Sequence, residues 1–138
     1  MRLLFYEPDG TGHHFAYLAR MLPGFVELPI EIILATTPES HASSEFAKLL
    51  APFGERLEVV PCLTTAPRHP LSSGRHRMRE LANSIRELKP DHVAVCYADG
   101  LWEQAYLQSL LGRQPWPREL MVEGWMFRGR FADPEDTR

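Results

Sequence analysis

The chain has 138 residues and a formal net charge of −3, with 44% hydrophobic and 24% charged residues. This length predicts one domain that buries about two-thirds of the surface its unfolded chain exposes. The composition is that of an ordinary globular protein. Because a dedicated nucleic-acid binder would carry a basic footprint, we expect no nucleic-acid partner.

The sequence carries no obvious targeting or membrane segment. Met-Arg leads at once into a short strand-like run, without the longer apolar core and cleavage site of a signal peptide. No apolar run approaches the ~20 residues that span a bilayer. Cys62 and Cys96 are too few for a disulfide framework. We therefore expect a cytoplasmic protein without a transmembrane segment, with peripheral attachment to a membrane as the alternative.

Strand-like and helix-like periodicity alternate from the first residues. Phe15, Leu18 and Leu22 share one helical face, and Pro23-Gly24 is expected to end that helix. In chain order, the first half is predicted to contain a strand at 2–6, a helix at 14–22, a strand at 30–35, a helix capped by Ser43 or Ser44, and a strand at 57–60.

The second half opens with a stretch rich in proline and serine, which is typical of a loop. A loop of such length in a compact domain is usually functional or disordered. In chain order, this half is predicted to contain the loop at 61–74, a helix at 75–89, a strand at 92–97, a helix at 101–110 and a strand at 119–122.

This alternation predicts a three-layer Rossmann-like α/β domain over residues 1–124. Right-handed crossovers would give a parallel sheet of about five strands, in the order 3-2-1-4-5, with helices on both faces. The ligand crevice of such a sheet lies at the carboxyl ends of strands 1 and 4. Residues 7–14 and 98–100 would then meet there, and residues 125–138 would form a tail or the start of an interdomain linker.

The most informative motif is the loop Gly10-Thr11-Gly12-His13-His14 between the first strand and the first helix. Glycines allow a ligand to approach the backbone, and a helix N-terminus favours negative charge. We therefore predict that Gly10, Thr11 and Gly12 bind ligand; the alternative is a tight turn that simply requires glycines. Phe15 replaces the third glycine of a dinucleotide fingerprint, so a nicotinamide site is not expected.

Residues 9–19, Asp-Gly-Thr-Gly-His-His followed by Phe-Ala-Tyr-Leu-Ala, resemble the first loop of GT-B fold glycosyltransferases. The lipid-linked N-acetylglucosaminyltransferases of cell-wall synthesis carry a similar Gly-Thr-Gly-Gly-His loop. In the present sequence, His13 stands at the position of the second glycine of Gly-Gly-His, and His14 aligns with the histidine. The resemblance implies the N-terminal, acceptor-binding half of an enzyme that transfers a hexose from a nucleotide sugar. It also implies a larger or two-chain enzyme, with little or no activity for this chain alone.

An inverting transfer needs a base that accepts the proton of the attacking hydroxyl, and histidine titrates near neutral pH. His14 or His13 is the candidate, unless one imidazole merely caps the helix. Asp99 and Gly100 follow the fourth strand at the same crevice and are predicted to contact ligand. The alternative is that Asp99 caps the next helix.

Arg75 and Arg77 are placed by these boundaries in the first turns of a helix, where the helix dipole opposes cations. This misfit suggests contact with a phosphate of a lipid-linked acceptor; the alternative is a solvated helix face. The histidines lack metal-ligand spacing, so neither a metal nor a resident cofactor is expected. The nucleotide sugar would be a substrate of the complete enzyme.

The segment 125–131 is rich in aromatic residues and suggests a surface that a donor-binding partner chain or a second copy covers. Packing of this segment on its own sheet is the alternative. A second hypothesis for function is a non-catalytic Rossmann-like module that binds a phosphorylated or carbohydrate ligand.

Overall fold

We analysed a computed structural model, which describes residues 1–11, 13–67, 69–96, 98 and 101–124. Short strands and helices alternate along the described chain. They are β1 (Arg2–Tyr6), α1 (His14–Val26), β2 (Glu31–Ala35), α2 (Pro38–His41), α3 (Ser44–Leu49), a 3-10 helix (Ala51–Arg56), β3 (Glu58–Val60), α4 (Pro70–Leu88), β4 (His92–Val95), α5 (Leu101–Leu110) and β5 (Met121–Gly124).

The five strands form one parallel sheet in the order β3-β2-β1-β4-β5. This confirms the predicted order and the three-layer, Rossmann-like α/β class. β1 lies at the centre, where Tyr6 is in register with Ala35 of β2 and with Val95 of β4. The carboxyl ends of β1, β2 and β4 therefore meet at one edge of the sheet.

Alternation of side chains along β1 divides the core into two layers. Leu3 and Phe5 contribute to the layer that contains the buried side chains of α1 and α3. Leu4 and Tyr6 contribute to the opposite layer, which contains those of α4 and α5. Burial on both faces explains why the central strands are almost continuously apolar.

The first helix continues through Pro23 to Val26, beyond the predicted end at residue 22. Proline within a helix removes a backbone donor and disfavours the conformation. Beyond it, however, Phe25 packs edge-to-face on Phe5 with ring centroids 5.5 Å apart, and Val26 adds apolar contact. Tertiary packing thus overrides the local helix-breaking signal.

The second predicted helix is divided into α3 and the 3-10 helix, and a short helix that was not predicted, α2, precedes it. Ser43 caps α3, and its hydroxyl accepts the amide hydrogen of Phe46 at 3.1 Å. Thr37 caps the additional short helix α2 in the same way, by accepting from the amide of Ser40. Gly54 interrupts the 3-10 helix itself with a φ of 53°, a conformation that glycine adopts readily.

The helix α4 begins at Pro70, five residues before the predicted start. The predicted loop 61–74 is correspondingly shorter. Arg75 is therefore the sixth residue of the helix and not part of its first turn, so the proposed misfit of arginines with the helix dipole was wrong.

The last two strands also differ from their predicted bounds. β4 ends at Val95, and β5 covers 121–124 where 119–122 was predicted. A turn in which the Leu120 amide donates to the Pro117 carbonyl at 3.2 Å precedes β5 and delays its start.

Candidate functional site

The candidate site lies at the carboxyl edge of the sheet, where Glu7 follows β1. The Glu7 amide donates to the Ala35 carbonyl at 3.0 Å, so the residue continues the pairing of β1 with β2. Only 1% of Glu7 is exposed. A carboxylate rarely occupies such a position without a charged or hydrogen-bonding partner.

That partner is His14, the first residue of α1. Its Nδ1 atom lies 3.1 Å from Glu7 Oε1, and its Nε2 atom lies 4.0 Å from Asp9 Oδ2. The side chain is 12% exposed, which leaves part of the imidazole accessible. The glycine loop therefore folds back so that one of its two histidines contacts a buried carboxylate.

Burial and charge have opposite effects on the pKa values of Glu7 and His14. Burial raises the pKa of Glu7, although its hydrogen bond and charge interaction with His14 act against the shift. Burial lowers the pKa of His14, but the bond and charge of Glu7, with a contribution from Asp9, outweigh it and raise the pKa overall. The imidazole thus gains affinity for a proton from its two acidic neighbours.

The loop satisfies its own backbone donors. The Asp9 amide donates to Glu7 Oε1 at 3.0 Å, and the Thr11 amide and hydroxyl both donate to Asp9 Oδ1, at 2.9 and 2.8 Å. The Gly10 amide donates to Ser40 Oγ at 2.9 Å. Because these three successive amides are already bonded, they do not form a cradle for a phosphate group.

Gly10 is required for packing. A Cβ atom at this position would lie 2.6 Å from Cε2 of Phe15 and 2.9 Å from Cβ of Ser40. Its φ is not in the left-handed region, unlike those of Gly54 and Gly112. The missing side chain therefore accommodates α1 and α2, whereas the sequence suggested approach of a ligand.

His13 lies on the exposed side of the same loop. Its ring stacks on that of His14 with centroids 5.3 Å apart and an interplanar angle of 18°. It also packs against the edge of Tyr17 at 5.2 Å. His13 occupies the N-cap position without a side-chain bond to the first turn, so the capping role considered from the sequence does not apply to it.

Arg77 extends the site from α4. Its positive charge contributes to the lowered pKa of Asp9 and opposes the raised pKa values of His14 and Tyr6, so the guanidinium lies within electrostatic range of the loop. The backbone carbonyl of Arg77 accepts the Tyr6 hydroxyl at 3.0 Å. Its Nε atom is buried and has no hydrogen-bond partner among the residues that the structure describes.

Arg75 lies apart from Arg77. It is exposed and lines a shallow groove on the outer side of α4, together with Pro67, His69, Ser72, His76 and Arg79. The structure therefore does not combine the two arginines into one phosphate site.

Two further residues beside Glu7 were not identified from the sequence. Continuing the sheet register by one residue places Thr36, after β2, and Cys96, after β4, next to it, and both are buried. Burial and the charge of Glu7 raise the pKa of the Cys96 thiol. The Thr36 hydroxyl is buried without a hydrogen-bond partner in the described part of the chain. The signal available in the sequence was the position of both residues at the end of an apolar strand.

Several predicted positions lie outside the described residues. They are Gly12, Asp99, Gly100 and the segment 125–138. Over the described ranges, no group of three or more histidine, cysteine or acidic side chains is arranged to hold a metal ion. Within the same ranges, no helix combines the length and apolar character needed to cross a membrane.

No protein-family model matches this chain, and no curated protein is significantly similar to it in sequence. Function must therefore be argued from the fold and from the geometry around Glu7 and His14.

Proposed function

We propose that this chain provides the acceptor side of a glycosyl transfer from a nucleotide sugar. The observation that carries the proposal is the 3.1 Å contact between buried Glu7 and His14 at the carboxyl edge of a parallel sheet. Ligands of open α/β sheets bind at this edge. The resemblance of residues 9–19 to the first loop of GT-B glycosyltransferases supports the same assignment.

In the proposed reaction, His14 acts as the general base. Glu7 orients the imidazole through Nδ1, as a carboxylate does in a catalytic triad, and Nε2 receives the proton of the acceptor hydroxyl. That oxygen then bonds to the anomeric carbon of the donor while the bond to the nucleoside diphosphate breaks. Glu7 stabilises the imidazolium that forms. We assign donor binding to none of the described residues.

The chemistry around His14 favours a neutral ligand that carries hydroxyl groups. Glu7 and Asp9 place negative charge beside the imidazole, and the loop amides of residues 9–11 are already bonded. Both features disfavour a phosphate in contact with the loop. A phosphate of a lipid-linked acceptor would instead contact Arg77, whose buried Nε atom is available, more readily than the distant Arg75.

A second candidate function is a binding module without catalysis, and the raised pKa of His14 favours it. A protonated imidazole donates two hydrogen bonds and cannot accept a proton. In such a module, the pair of Glu7 and His14 would hold the loop in place and present an N–H group to a carbohydrate hydroxyl.

Binding measured by NMR tests the proposed site. We expect N-acetylglucosamine to shift the resonances of His14 and Thr11, and inorganic pyrophosphate not to shift those of the loop. His14→Gln should weaken sugar binding about tenfold, the effect of losing one hydrogen bond to a charged or strongly polar group. The matched variant His13→Gln should have a smaller effect. Pyrophosphate binding at the loop without sugar binding would contradict the proposal.

The pH dependence of sugar binding separates the two candidate functions. If His14 accepts a hydrogen bond from the ligand, binding strengthens as pH rises through its pKa. If the protonated imidazole donates, binding strengthens as pH falls through that pKa. We expect the first behaviour. We also expect the chain alone to turn over essentially no UDP-N-acetylglucosamine, and robust turnover would overturn the proposal that the enzyme needs a further domain or a second chain.

A further inference from the structure

The outer face of α5 carries a contiguous apolar surface, which we call the α5 patch. It consists of Tyr106, Leu107, Leu110 and Leu111, whose exposed fractions are 65%, 48%, 65% and 72%. The opposite side of α5 is already packed, since Leu101 and Gln104 are buried against the sheet and α4. Apolar surface of this kind usually marks a site of protein association.

We propose that the α5 patch pairs with the α5 patch of a second copy of this chain in a two-fold symmetric dimer. In a two-fold interface the same residues face each other from both copies, and the axis can relate two facing helices in parallel or in antiparallel orientation. The antiparallel one is favoured here, because parallel pairing would place Glu103 against Glu103 and Arg113 against Arg113. The centre of the pairing lies at Gln108, five positions from both Glu103 and Arg113. Each residue before this centre then faces the residue of the partner copy that lies the same number of positions after the centre.

The charges at the two ends of the patch fit this arrangement. Glu103 lies one turn before Leu107 on the exposed side, and Arg113 follows the end of the helix. The Arg113 amide donates to the Gln108 carbonyl at 2.9 Å, which holds this residue against the last turn. Antiparallel pairing places Glu103 of each copy near Arg113 of the other. Two opposite-charge pairs therefore flank the apolar centre.

The patch is small for a permanent interface. Stable complexes bury about 800 Å² on each partner, whereas the α5 patch is one face of a helix of 10 residues. We therefore expect a reversible dimer that forms as the chain is concentrated.

Sedimentation velocity across a range of chain concentrations tests the dimer. The intact chain should shift from monomer to dimer as concentration rises. Leu110→Glu buries a charge in the apolar centre and should raise the dissociation constant about tenfold or more. Leu28→Glu is the matched control, because Leu28 is 44% exposed and lies outside the patch. It should leave the dimer unchanged.

Charge exchange tests the orientation. Glu103→Arg or Arg113→Glu alone creates two like-charge contacts per dimer and should weaken association about threefold to tenfold. The double variant restores opposite charges and should recover the original dissociation constant. Failure of the double variant to recover it would overturn the antiparallel arrangement. A chain that stays monomeric at all concentrations would overturn the dimer. If the chain is monomeric and Leu110→Glu lowers its unfolding temperature, the α5 patch packs against another part of the same chain.

Discussion

At the scale of single residues, the protonation of His14 depends on a balance between burial and two carboxylates. Glu7 is the closer partner, at 3.1 Å, and Asp9 lies at 4.0 Å on the other ring nitrogen. Arg77 acts in the opposite direction through its positive charge. Cys96, which lies beside Glu7 directly after β4, stays protonated because burial and the charge of Glu7 raise its pKa. Burial therefore acts against the charged imidazole, and among its neighbours Glu7 does most to raise its pKa.

Glu7→Gln removes this main contribution while keeping the size of the side chain. We expect the pKa of His14 to fall, because burial still lowers it and only Asp9 still raises it. Asp9→Asn, the matched variant, should lower the pKa less because its carboxylate is farther away. NMR titration of the His14 ring protons measures both shifts. An unchanged pKa in Glu7→Gln would show that the pair does not interact as described.

Gly10→Ala tests whether the loop glycine serves packing. The new methyl group would meet the Phe15 ring at 2.6 Å and Ser40 at 2.9 Å. Overpacking of this kind costs about 1–3 kcal/mol in the free energy of unfolding. Gly24→Ala is the control, since nothing lies within 4 Å of its Cβ position inside α1. There we expect a gain of roughly 0.5–1 kcal/mol. Urea denaturation measures the change in the free energy of unfolding for both variants. No change in Gly10→Ala would contradict the packing role.

The sequence predicted part of this site. The sequence placed two histidines at the start of a helix but did not show which of them faces the site. The contact of His14 with the buried Glu7 distinguishes it from His13. Glu7 directly follows the first predicted strand, and nothing in the local pattern shows that it is buried. Ser40, which anchors Gly10, lies 30 positions away in α2, a helix that the sequence did not indicate. Contacts between distant segments cannot be derived from local periodicity.

At the scale of elements, the segment from Thr37 to Ser43 connects the glycine loop to the rest of the fold. Ser40 accepts the Gly10 amide, donates to the Pro8 carbonyl at 3.2 Å and accepts the Thr37 hydroxyl at 2.9 Å. Its backbone carbonyl accepts the Ser43 hydroxyl at 2.7 Å. The loop is therefore held by the two helix caps that follow β2, and its position depends on them.

Ser43→Ala tests this connection. The substitution removes the cap of α3 and the bond to the Ser40 carbonyl, and should lower the free energy of unfolding by about 1 kcal/mol. The neighbouring Ser44→Ala is the control, because Ser44 is exposed and its hydroxyl contacts only Glu45 among the described bonds. Chemical denaturation measures both. Equal effects at the two serines would contradict the capping role of Ser43.

Element boundaries were predicted less well than element types. All five strands were anticipated, and the central strands β1, β2 and β4 gave the clearest signal because they are buried and apolar over most of their length. The helices α1 and α4 extend beyond their predicted limits at Pro23 and Arg75, since packing of residues such as Phe25 outweighs local signals. The interruption at Gly54 was not predicted, because a glycine alone does not reveal whether its φ is positive.

At the scale of the whole molecule, the buried pair links folding to pH. The pKa of His14 is raised above its ordinary value of 6.5, so the folded chain keeps a proton that the unfolded chain has already lost. The stability that His14 contributes is complete below that value and is lost as pH rises through the folded pKa. Glu7 acts with the same sign from its ordinary value of 4.5 upward. Asp9, whose pKa is lowered, acts only at more acidic pH.

We therefore expect the free energy of unfolding to fall between about pH 6 and pH 8.5, below the range in which thiols and tyrosine titrate. The double variant Glu7→Gln/His14→Gln carries a neutral pair of similar shape and should show a smaller decrease. Replacing only His14 would leave Glu7 buried without its partner, so it is not a suitable control. Identical slopes for the intact chain and the double variant would exclude a contribution from the pair.

The polarity of the parallel sheet has a practical consequence for attaching probes. Arg2 begins β1 at the edge opposite to the site, where its amide donates to Asp91 Oδ2 at 2.7 Å. Glu7 lies five positions after Arg2 along the strand direction, which corresponds to about 17 Å. A fluorophore or surface tether joined before Met1 would therefore point away from His14. Ligand binding could be recorded on an immobilised chain with the candidate site open to solution.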